Sequence, residues 1–203
     1  MPLMTLDAAL AGRRSVRQFS PRPVERALVE EVIAAACLAP APHHSHPWRF
    51  VILSPDARAA LTQAMGERWR QDLERDGLPE ARIRRLLSRS RSRLTAAPVL
   101  ILAGVVAQAQ RPWPDPRRQR AEELMFAQSM GAALQNLMLA AHARGLGSHW
   151  ISAPLFCPDA VCLALDLPSD FQPQALVAIG YPKEGLRLPP RLPLAVRDHI
   201  IER

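Results

Sequence analysis

The spacing of apolar residues divides the chain into segments that predict α-helices and segments that predict short buried strands. Apolar residues that recur every three to four positions predict helices, and short apolar runs ended by turn residues predict strands. The predicted helices run from Leu6 to Gly12, Glu25 to Leu38, Asp56 to Asp76, Pro79 to Leu94, Gln119 to Arg144 and Pro158 to Leu165. The predicted strands run from Phe50 to Leu53, Val99 to Val106, Ser148 to Ile151 and Ala175 to Gly180. This order favours one α+β domain over residues 1–203, with a mixed central sheet wrapped by helices and an irregular tail from about 183 to 203.

The longest helical segment, Gln119 to Arg144, is apolar almost all the way round after Leu124. A helix of this kind is buried, and its apolar surface exceeds what one face of a monomer needs, so the pattern predicts a homodimer. The preceding residues, Gln108 to Arg118, contain three prolines and no apolar periodicity. They predict a mobile surface loop and a candidate lid.

The net charge of +7 comes almost entirely from arginine, because Lys183 is the only lysine. The arginines are scattered and aromatic residues make up only 5% of the chain, which is too few for a nucleic-acid stacking platform. The densest basic run, Arg82 to Arg93, has leucines and an isoleucine at helical spacing, which is typical of a solvated helix face. A small anionic ligand therefore fits the charge better than nucleic acid does.

Nothing in the sequence predicts export or a membrane span. The longest apolar stretches are far shorter than the roughly 20 residues that a span requires, and the N-terminus lacks the order of a secretory signal. Cys37, Cys157 and Cys162 each lie in an apolar context and are expected to be reduced core thiols. These features favour a cytoplasmic protein.

Arg13-Arg14-Ser15-Val16-Arg17 follows the first predicted helix and places three guanidinium groups and one hydroxyl within five residues. Such a turn can donate several hydrogen bonds to a phosphate, although solvated surface charge is the commoner explanation of an arginine-rich turn. A Pro-rich loop, Ala39 to Pro47, follows about 25 residues later and leads into a predicted strand.

These two motifs, with the glycine turn Gly145 to Ser148 and the segment Pro190 to Pro193, resemble the nitroreductase family of flavoproteins along nearly the whole chain. The resemblance implies an FMN-dependent oxidoreductase that pairs as a homodimer with FMN at the interface. It assigns to FMN the residues Arg13, Arg14, Ser15, Val16, Arg17 and Arg191 at the phosphate and ring edge, Ala41 at the ring, and Ser152 on the N5 side. It implies no catalytic side chain, because the chemistry takes place at flavin N5.

Three further stretches, around His43, around Trp69 and from Arg144 to Ile151, are similar to the C-terminal flavin domain of the coenzyme F420 gamma-glutamyl ligase. That resemblance implies reduction of dehydro-F420-0, an anionic precursor, with His43, Trp69 and Arg70 as substrate-binding residues and Arg68 as a further candidate. Only twelve residues precede Arg13, so glutamate ligation is not expected and a separate ligase protein is a candidate partner.

Two other functions remain open on the sequence alone. A general NAD(P)H-dependent nitro or quinone reductase is the nearest alternative, and the electron donor is not specified. A flavin-holding or nucleic-acid-binding protein without catalytic activity is the other, because of the net charge of +7. Without the resemblance, Trp69 and Arg70 would be interpreted as an ordinary half-buried residue and an ordinary surface charge.

The histidines of the Pro-rich loop, His43, His44 and His46, are candidate contacts of flavin or substrate. Metal binding is not expected there, because no carboxylate or cysteine lies nearby in the sequence. His149 is expected to be a core residue. Glu122 and Glu123 are interpreted as acidic residues that favour the helix dipole at the start of the long helix.

Overall fold

The computed structural model describes residues 4–203 and confirms each predicted helix and strand. The helices are α1 (Leu6–Gly12), α2 (Arg26–Ala36), α3 (Pro55–Arg75), α4 (Glu80–Thr95), α5 (Pro116–Ala143) and α6 (Pro158–Ala164). The strands are β1 (Trp48–Ile52), β2 (Val99–Val106), β3 (Gly147–Ile151) and β4 (Phe171–Gly180). The boundaries agree to within a few residues, with the largest differences at the starts of α5 and β4.

The four strands form one sheet in the order β1-β2-β4-β3, and all three strand pairs are antiparallel. The expected mixed sheet is mixed only through an isolated parallel bridge between Ser15 and Ser148. β2 and β4 lie in the centre, and successive side chains on a strand point to opposite faces. Both central strands can therefore be buried on both sides.

The alternation along β2 divides the core into two clusters. Ile101 and Ala103 pack towards α2 and α5, whereas Leu100 and Leu102 pack towards α3 and α6. Gly104 lies at a register shift between β2 and β4, where an added Cβ would come within 2.4 Å of the Phe171 ring. The sheet thus lies between two helical layers in a three-layer α+β arrangement.

Much of the apolar surface of α5 is covered within one chain, and the homodimer predicted from this helix stays a prediction. From Ser129 to Ala141 no residue of α5 is exposed, because α1, α2, the short 3₁₀ turn Pro42–His44 and the sheet pack around it. The exposed large apolar residues of α5 are Leu124 and Met125, in its first half. The second half of α5 thus packs against elements of its own chain, with Ala132, Leu139 and Ala140 only partly buried.

The tail is irregular as expected, with one short 3₁₀ turn at Val196–His199. Its exposed apolar side chains are Leu188, Leu192, Leu194, Val196, Ile200 and Ile201.

The prediction of three core thiols is wrong for Cys37, which is exposed just after α2, whereas Cys157 is buried. Of the helices in residues 4–203, none combines the length and the apolar character needed to cross a membrane.

Candidate functional site

Arg14 and Arg191 bind backbone carbonyls at the C-terminal end of α1, next to Arg13. Arg14 Nη1 donates to the carbonyl of Ala11 at 2.8 Å, and Arg191 Nη2 donates to the carbonyls of Leu10 at 2.9 Å and Arg13 at 3.0 Å. Helix carbonyls at this end carry partial negative charge and attract cations. The structure therefore brings Arg13, Arg14 and Arg191 together although 178 positions separate Arg13 from Arg191.

The positive charge of these three arginines is not balanced by a carboxylate within residues 4–203, where none of them forms an ion pair. Burial lowers the pKa of Arg13, and the like charges of Arg191 and Arg14 lower it further. Arg14 Nε is buried and has no hydrogen-bond partner. An uncompensated charge cluster with an unused donor fits an anionic group such as a phosphate.

The middle of the turn is held against β3 by its backbone. The backbone N–H of Val16 donates to the carbonyl of Ser148 at 2.9 Å, and the Val16 side chain is buried. Gly147 makes this contact possible, because an added Cβ would lie 2.6 Å from Val16 Cβ. Val16 therefore anchors the turn, and the adjacent residues Ser15 and Arg17 are exposed.

Arg17 projects to a different place from Arg13 and Arg14. Its Nε donates to His149 Nε2 at 3.1 Å, so the imidazole accepts on Nε2 and carries its proton on Nδ1. Burial, followed by the charges of Arg17 and Arg93, lowers the pKa of His149 to about 4. His149 is thus a partly buried neutral ring among arginines rather than the core residue expected from the sequence.

We expect His149 to make the stability of the protein depend on pH. The folded-state pKa of about 4 lies below the unfolded value of 6.5, so the unfolded chain binds the additional proton between these values. The free energy of unfolding should therefore fall as pH decreases from 6.5 towards 4, by roughly 1 kcal/mol for this half-exposed ring. Urea unfolding at about pH 7 and about pH 4.5 measures the effect in the wild type, His149→Gln and the tail control His199→Gln. Equal pH dependence in the wild type and His149→Gln would contradict it.

A cavity of about 490 Å³ opens between α3, α4 and the turn after β3. Its lining includes Trp69, which is 37% exposed, together with Ser152. Ser152 Oγ accepts a hydrogen bond from Trp150 Nε1 at 2.9 Å, which fixes the side chain at the end of β3. The structure thus brings together a residue predicted for substrate and a residue predicted for the N5 side of the flavin.

Arg70 does not line this cavity. Arg70 Nη1 donates to Glu80 at 3.0 Å and Glu74 at 3.4 Å, and these bonds raise its pKa, with the bond to Glu80 as the largest cause. It borders a second pocket of about 350 Å³, which shares Arg91 with the large cavity. The arginines on the lining of the large cavity are Arg68 and Arg91. Consecutive helical residues point about 100° apart, so Arg70 points away from Trp69, and its guanidinium binds Glu80 of α4.

The Pro-rich loop Ala39 to Pro47, called the histidine loop below, packs against α5 and has an unusual backbone conformation. His43, His44 and His46 have positive φ values of 55°, 52° and 45°, a region that costs non-glycine residues free energy. Ser129 Oγ accepts from Trp48 Nε1 at 3.1 Å and donates to the Pro40 carbonyl at 2.7 Å, which anchors both ends of the loop. Ala41, at the start of this loop, is partly buried against the core.

His43 contacts Glu122, whose role the sequence analysis missed. Glu122 is 2% exposed, and its carboxylate lies 3.1 Å from His43 Nε2, 3.0 Å from the Arg111 backbone N and 3.1 Å from Trp113 Nε1. Burial alone raises the pKa of Glu122, but the bonds from Arg111, Trp113 and His43 outweigh it, so the pKa lies below its usual value. The carboxylate thus connects the histidine loop and the residues before α5.

Position along the helix could have identified Glu122. α5 begins at Pro116, where Asp115 caps the helix, so Glu122 lies beyond its first turn and away from the helix dipole. Its spacing of four residues to the buried Phe126 places it on the core face. The segment Gln108 to Arg118, which was predicted to be a mobile loop, is bound to Glu122 through Arg111 and Trp113.

Within residues 4–203, no three metal-ligating side chains are grouped in a way that would hold a metal ion.

A family model described as the nitroreductase family matches residues 10–181. The chain belongs to the nitroreductase family. This family member is 31% identical over 207 residues to a 5,6-dimethylbenzimidazole synthase of Rhodospirillum rubrum, with 91% of the chain and 85% of that protein covered.

Two solved structures extend the comparison. A BluB-like flavoprotein from Clostridium difficile superposes on this nitroreductase-family chain with a TM-score of 0.78 at 23% identity, covering 98% and 99% of the two chains. A mutant of NfnB from Sphigopyxis sp. strain HMH, described as an FMN- and NADPH-dependent nitroreductase, gives 0.71 at 26% identity, covering 98% and 99%. The similarity to the BluB-like flavoprotein supports the nitroreductase-like fold. The relatives differ in the reactions that their names describe, a 5,6-dimethylbenzimidazole synthase and a nitroreductase.

Proposed function

We propose that the protein is an FMN-dependent oxidoreductase that reduces an anionic, conjugated small molecule. The uncompensated cluster of Arg13, Arg14 and Arg191 is the observation that carries the cofactor assignment, because it supplies charge and a free buried donor for the FMN phosphate. The NfnB relative, described as FMN-dependent, supports the same choice. Bound FMN would supply hydride transfer at its N5 atom, so the protein itself needs no nucleophile.

The residues of the chain would then bind and orient the two reactants. Ser15 and Arg17, which are exposed on either side of the anchored Val16, would contact the phosphate or the ring edge of the flavin. Ala41 would line the ring, and the backbone at Ser152 would lie on the N5 side. These assignments rest on the resemblance and on the anchoring of each segment.

The cavity beside Ser152 is the proposed substrate site. Trp69 offers a ring face for stacking with a conjugated substrate, and Arg68 and Arg91 offer positive charge. Most of the remaining lining is apolar, including Met65, Leu94 and Phe156, which would exclude water from the reacting atoms.

Within this substrate class, dehydro-F420-0 is our specific candidate. Its phosphodiester and carboxylate groups suit an arginine-bearing cavity, and the sequence around Trp69 and His43 is similar to the flavin domain of the F420 ligase. His43 does not border the cavity and contacts Glu122 instead, so any contribution to substrate binding would act through the loop that it holds. A separate ligase partner stays a prediction.

We propose a homodimer on the basis of the exposed apolar surface. Leu192 is 87% exposed and Ile201 is 81% exposed on the tail, and Phe156 is 80% exposed at the edge of the cavity. A second copy would cover such side chains. A monomeric FMN-loaded protein in solution scattering would contradict this assembly.

A general NAD(P)H-dependent nitro or quinone reductase is the second candidate. The predominantly apolar lining of the cavity favours it, since a neutral aromatic acceptor needs no arginine. The NADPH-dependent NfnB relative also favours it.

The deciding experiment compares the binding of two ligands to the FMN-loaded protein. We expect F420-0, the product of the proposed reduction, to raise thermal stability and quench flavin fluorescence more strongly than a simple nitroaromatic. Trp69→Leu should weaken F420-0 binding by roughly 10-fold while sparing FMN, because it removes a stacking face of about 1 kcal/mol or more. Robust NAD(P)H-driven turnover of the nitroaromatic without F420-0 binding would support the second candidate. Formation of 5,6-dimethylbenzimidazole would instead align the protein with its Rhodospirillum rubrum relative.

A further inference from the structure

Three neighbouring pockets on the α3–α4 face differ in how their arginines are balanced. The large cavity has Asp72 beside its arginines, and the pocket containing Arg70 has Glu67 on its lining and Glu80 bound to Arg70. The third pocket, of about 180 Å³, has Arg89 and Arg93 on its lining and no carboxylate. It is therefore the one of the three whose lining arginines have no carboxylate beside them.

Two neutral side chains on the lining of the third pocket add hydrogen-bond donors to the charge of its arginines. His149 lines it as a neutral ring, since burial and the charges of Arg17 and Arg93 lower its pKa to about 4. Its Nδ1–H is a donor because Nε2 accepts from Arg17. Ser90 adds a hydroxyl on the same lining. Two guanidinium groups, a ring N–H and a hydroxyl form a donor set suited to phosphate oxygens.

The third pocket adjoins the proposed substrate cavity. Trp69, Ser90 and Leu94 line both spaces, so the Trp69 ring forms part of the wall between them. A molecule whose conjugated ring lies in the cavity could place an attached phosphate on the far side of Trp69. The phosphate would then have donors and no carboxylate on the lining of its pocket.

We propose that Arg89, Arg93 and His149 form a phosphate-binding subsite for the molecule that reacts in the Trp69 cavity. This inference rests on the proposed function for the location of the reacting ring. The phosphate chemistry has two sources, a phosphodiester of the substrate or the 2′-phosphate of NADPH.

The test measures pyrophosphate binding to the FMN-loaded protein by calorimetry, so that the FMN phosphate site is already filled. We expect Arg89→Gln combined with Arg93→Gln to weaken pyrophosphate binding by roughly 10- to 100-fold, the loss of one or two charged hydrogen bonds. Arg85→Gln is the matched control, because Arg85 is exposed on the same helix and borders none of the three pockets. The FMN affinity, measured separately by absorbance, should be unchanged in all variants.

Steady-state kinetics then distinguish the two sources of phosphate. A raised KM for NADPH but not NADH assigns the subsite to the electron donor, and a raised KM for a phosphate-bearing acceptor but not a neutral nitroaromatic assigns it to the substrate. Unchanged KM values for both would overturn the proposal. Equal loss of pyrophosphate binding in Arg85→Gln would also overturn it, since the effect would then be diffuse helix charge. Absence of FMN uptake by the wild type would refute the proposed function separately from the anion measurement.

Discussion

Arg13→Ala is expected to weaken FMN binding by roughly 30- to 150-fold, a loss of about 2–3 kcal/mol for a charged hydrogen bond to phosphate. Arg13 is partly buried and lies beside the like charges of Arg14 and Arg191, which lower its pKa. Removing it should therefore relieve repulsion in the FMN-free protein, whose thermal stability should be unchanged or slightly higher. The opposite directions of these two effects separate loss of a binding group from misfolding. Fluorescence titration gives the FMN affinity, and differential scanning calorimetry gives the stability.

Riboflavin, which lacks the phosphate, provides the matched ligand control. Its affinity should be equal in the wild type and Arg13→Ala, because the change acts only on the phosphate. Arg26→Ala provides the protein control, since Arg26 is an exposed arginine on α2 that pairs with Glu30 at 2.7 Å. If riboflavin and FMN lose affinity equally in Arg13→Ala, the arginine cluster does not bind the phosphate.

The elements predicted best are those whose local pattern and tertiary environment agree. β2 was predicted with its observed bounds, because its apolar run is buried on both faces of the sheet. β4 begins at Phe171, four residues before the predicted start at Ala175. The prediction started late because Gln172 and Pro173 interrupt the apolar run. Pro173 is accommodated opposite Gly104, directly beyond a register shift in the β2–β4 pair. Such a contact depends on a partner strand that the local sequence does not specify.

The arrangement of the candidate site shows the same division. The sequence motifs led to Arg13, Arg14 and Arg191, which the structure gathers at the end of α1. Side-chain direction was less predictable: Arg70, next to Trp69 on α3, is directed to Glu80. Residue spacing shows which face of a helix a side chain lies on. It does not show that Arg70 on α3 binds Glu80, because Glu80 lies on α4. The distinction between a substrate contact and a surface ion pair therefore needed the structure.

Glu122→Leu is expected to lower the free energy of unfolding by about 2–3 kcal/mol, because it leaves buried or partly buried donors without their acceptor. The Arg111 backbone N–H and Trp113 Nε1 both donate to this carboxylate, and His43 Nε2 lies 3.1 Å from it. For a chain of this size the loss corresponds to a melting temperature lower by roughly 5–10 °C. Urea unfolding and thermal unfolding measure the two quantities.

Hydrogen exchange near Glu122 shows whether this residue connects the histidine loop to the residues before α5 or only stabilises the whole chain. Hydrogen exchange of the Arg111 amide should become faster in Glu122→Leu than exchange of amides in β2, since only the segment before α5 loses its acceptor. Glu122→Gln retains one acceptor oxygen and should fall between the wild type and the leucine variant. Glu123→Gln is the neighbouring control, because Glu123 is partly exposed and approaches Arg120 only at 3.9 Å. Uniformly faster exchange throughout the chain would mean that Glu122 contributes only to global stability, and the tether between the histidine loop and the residues before α5 would have to be abandoned.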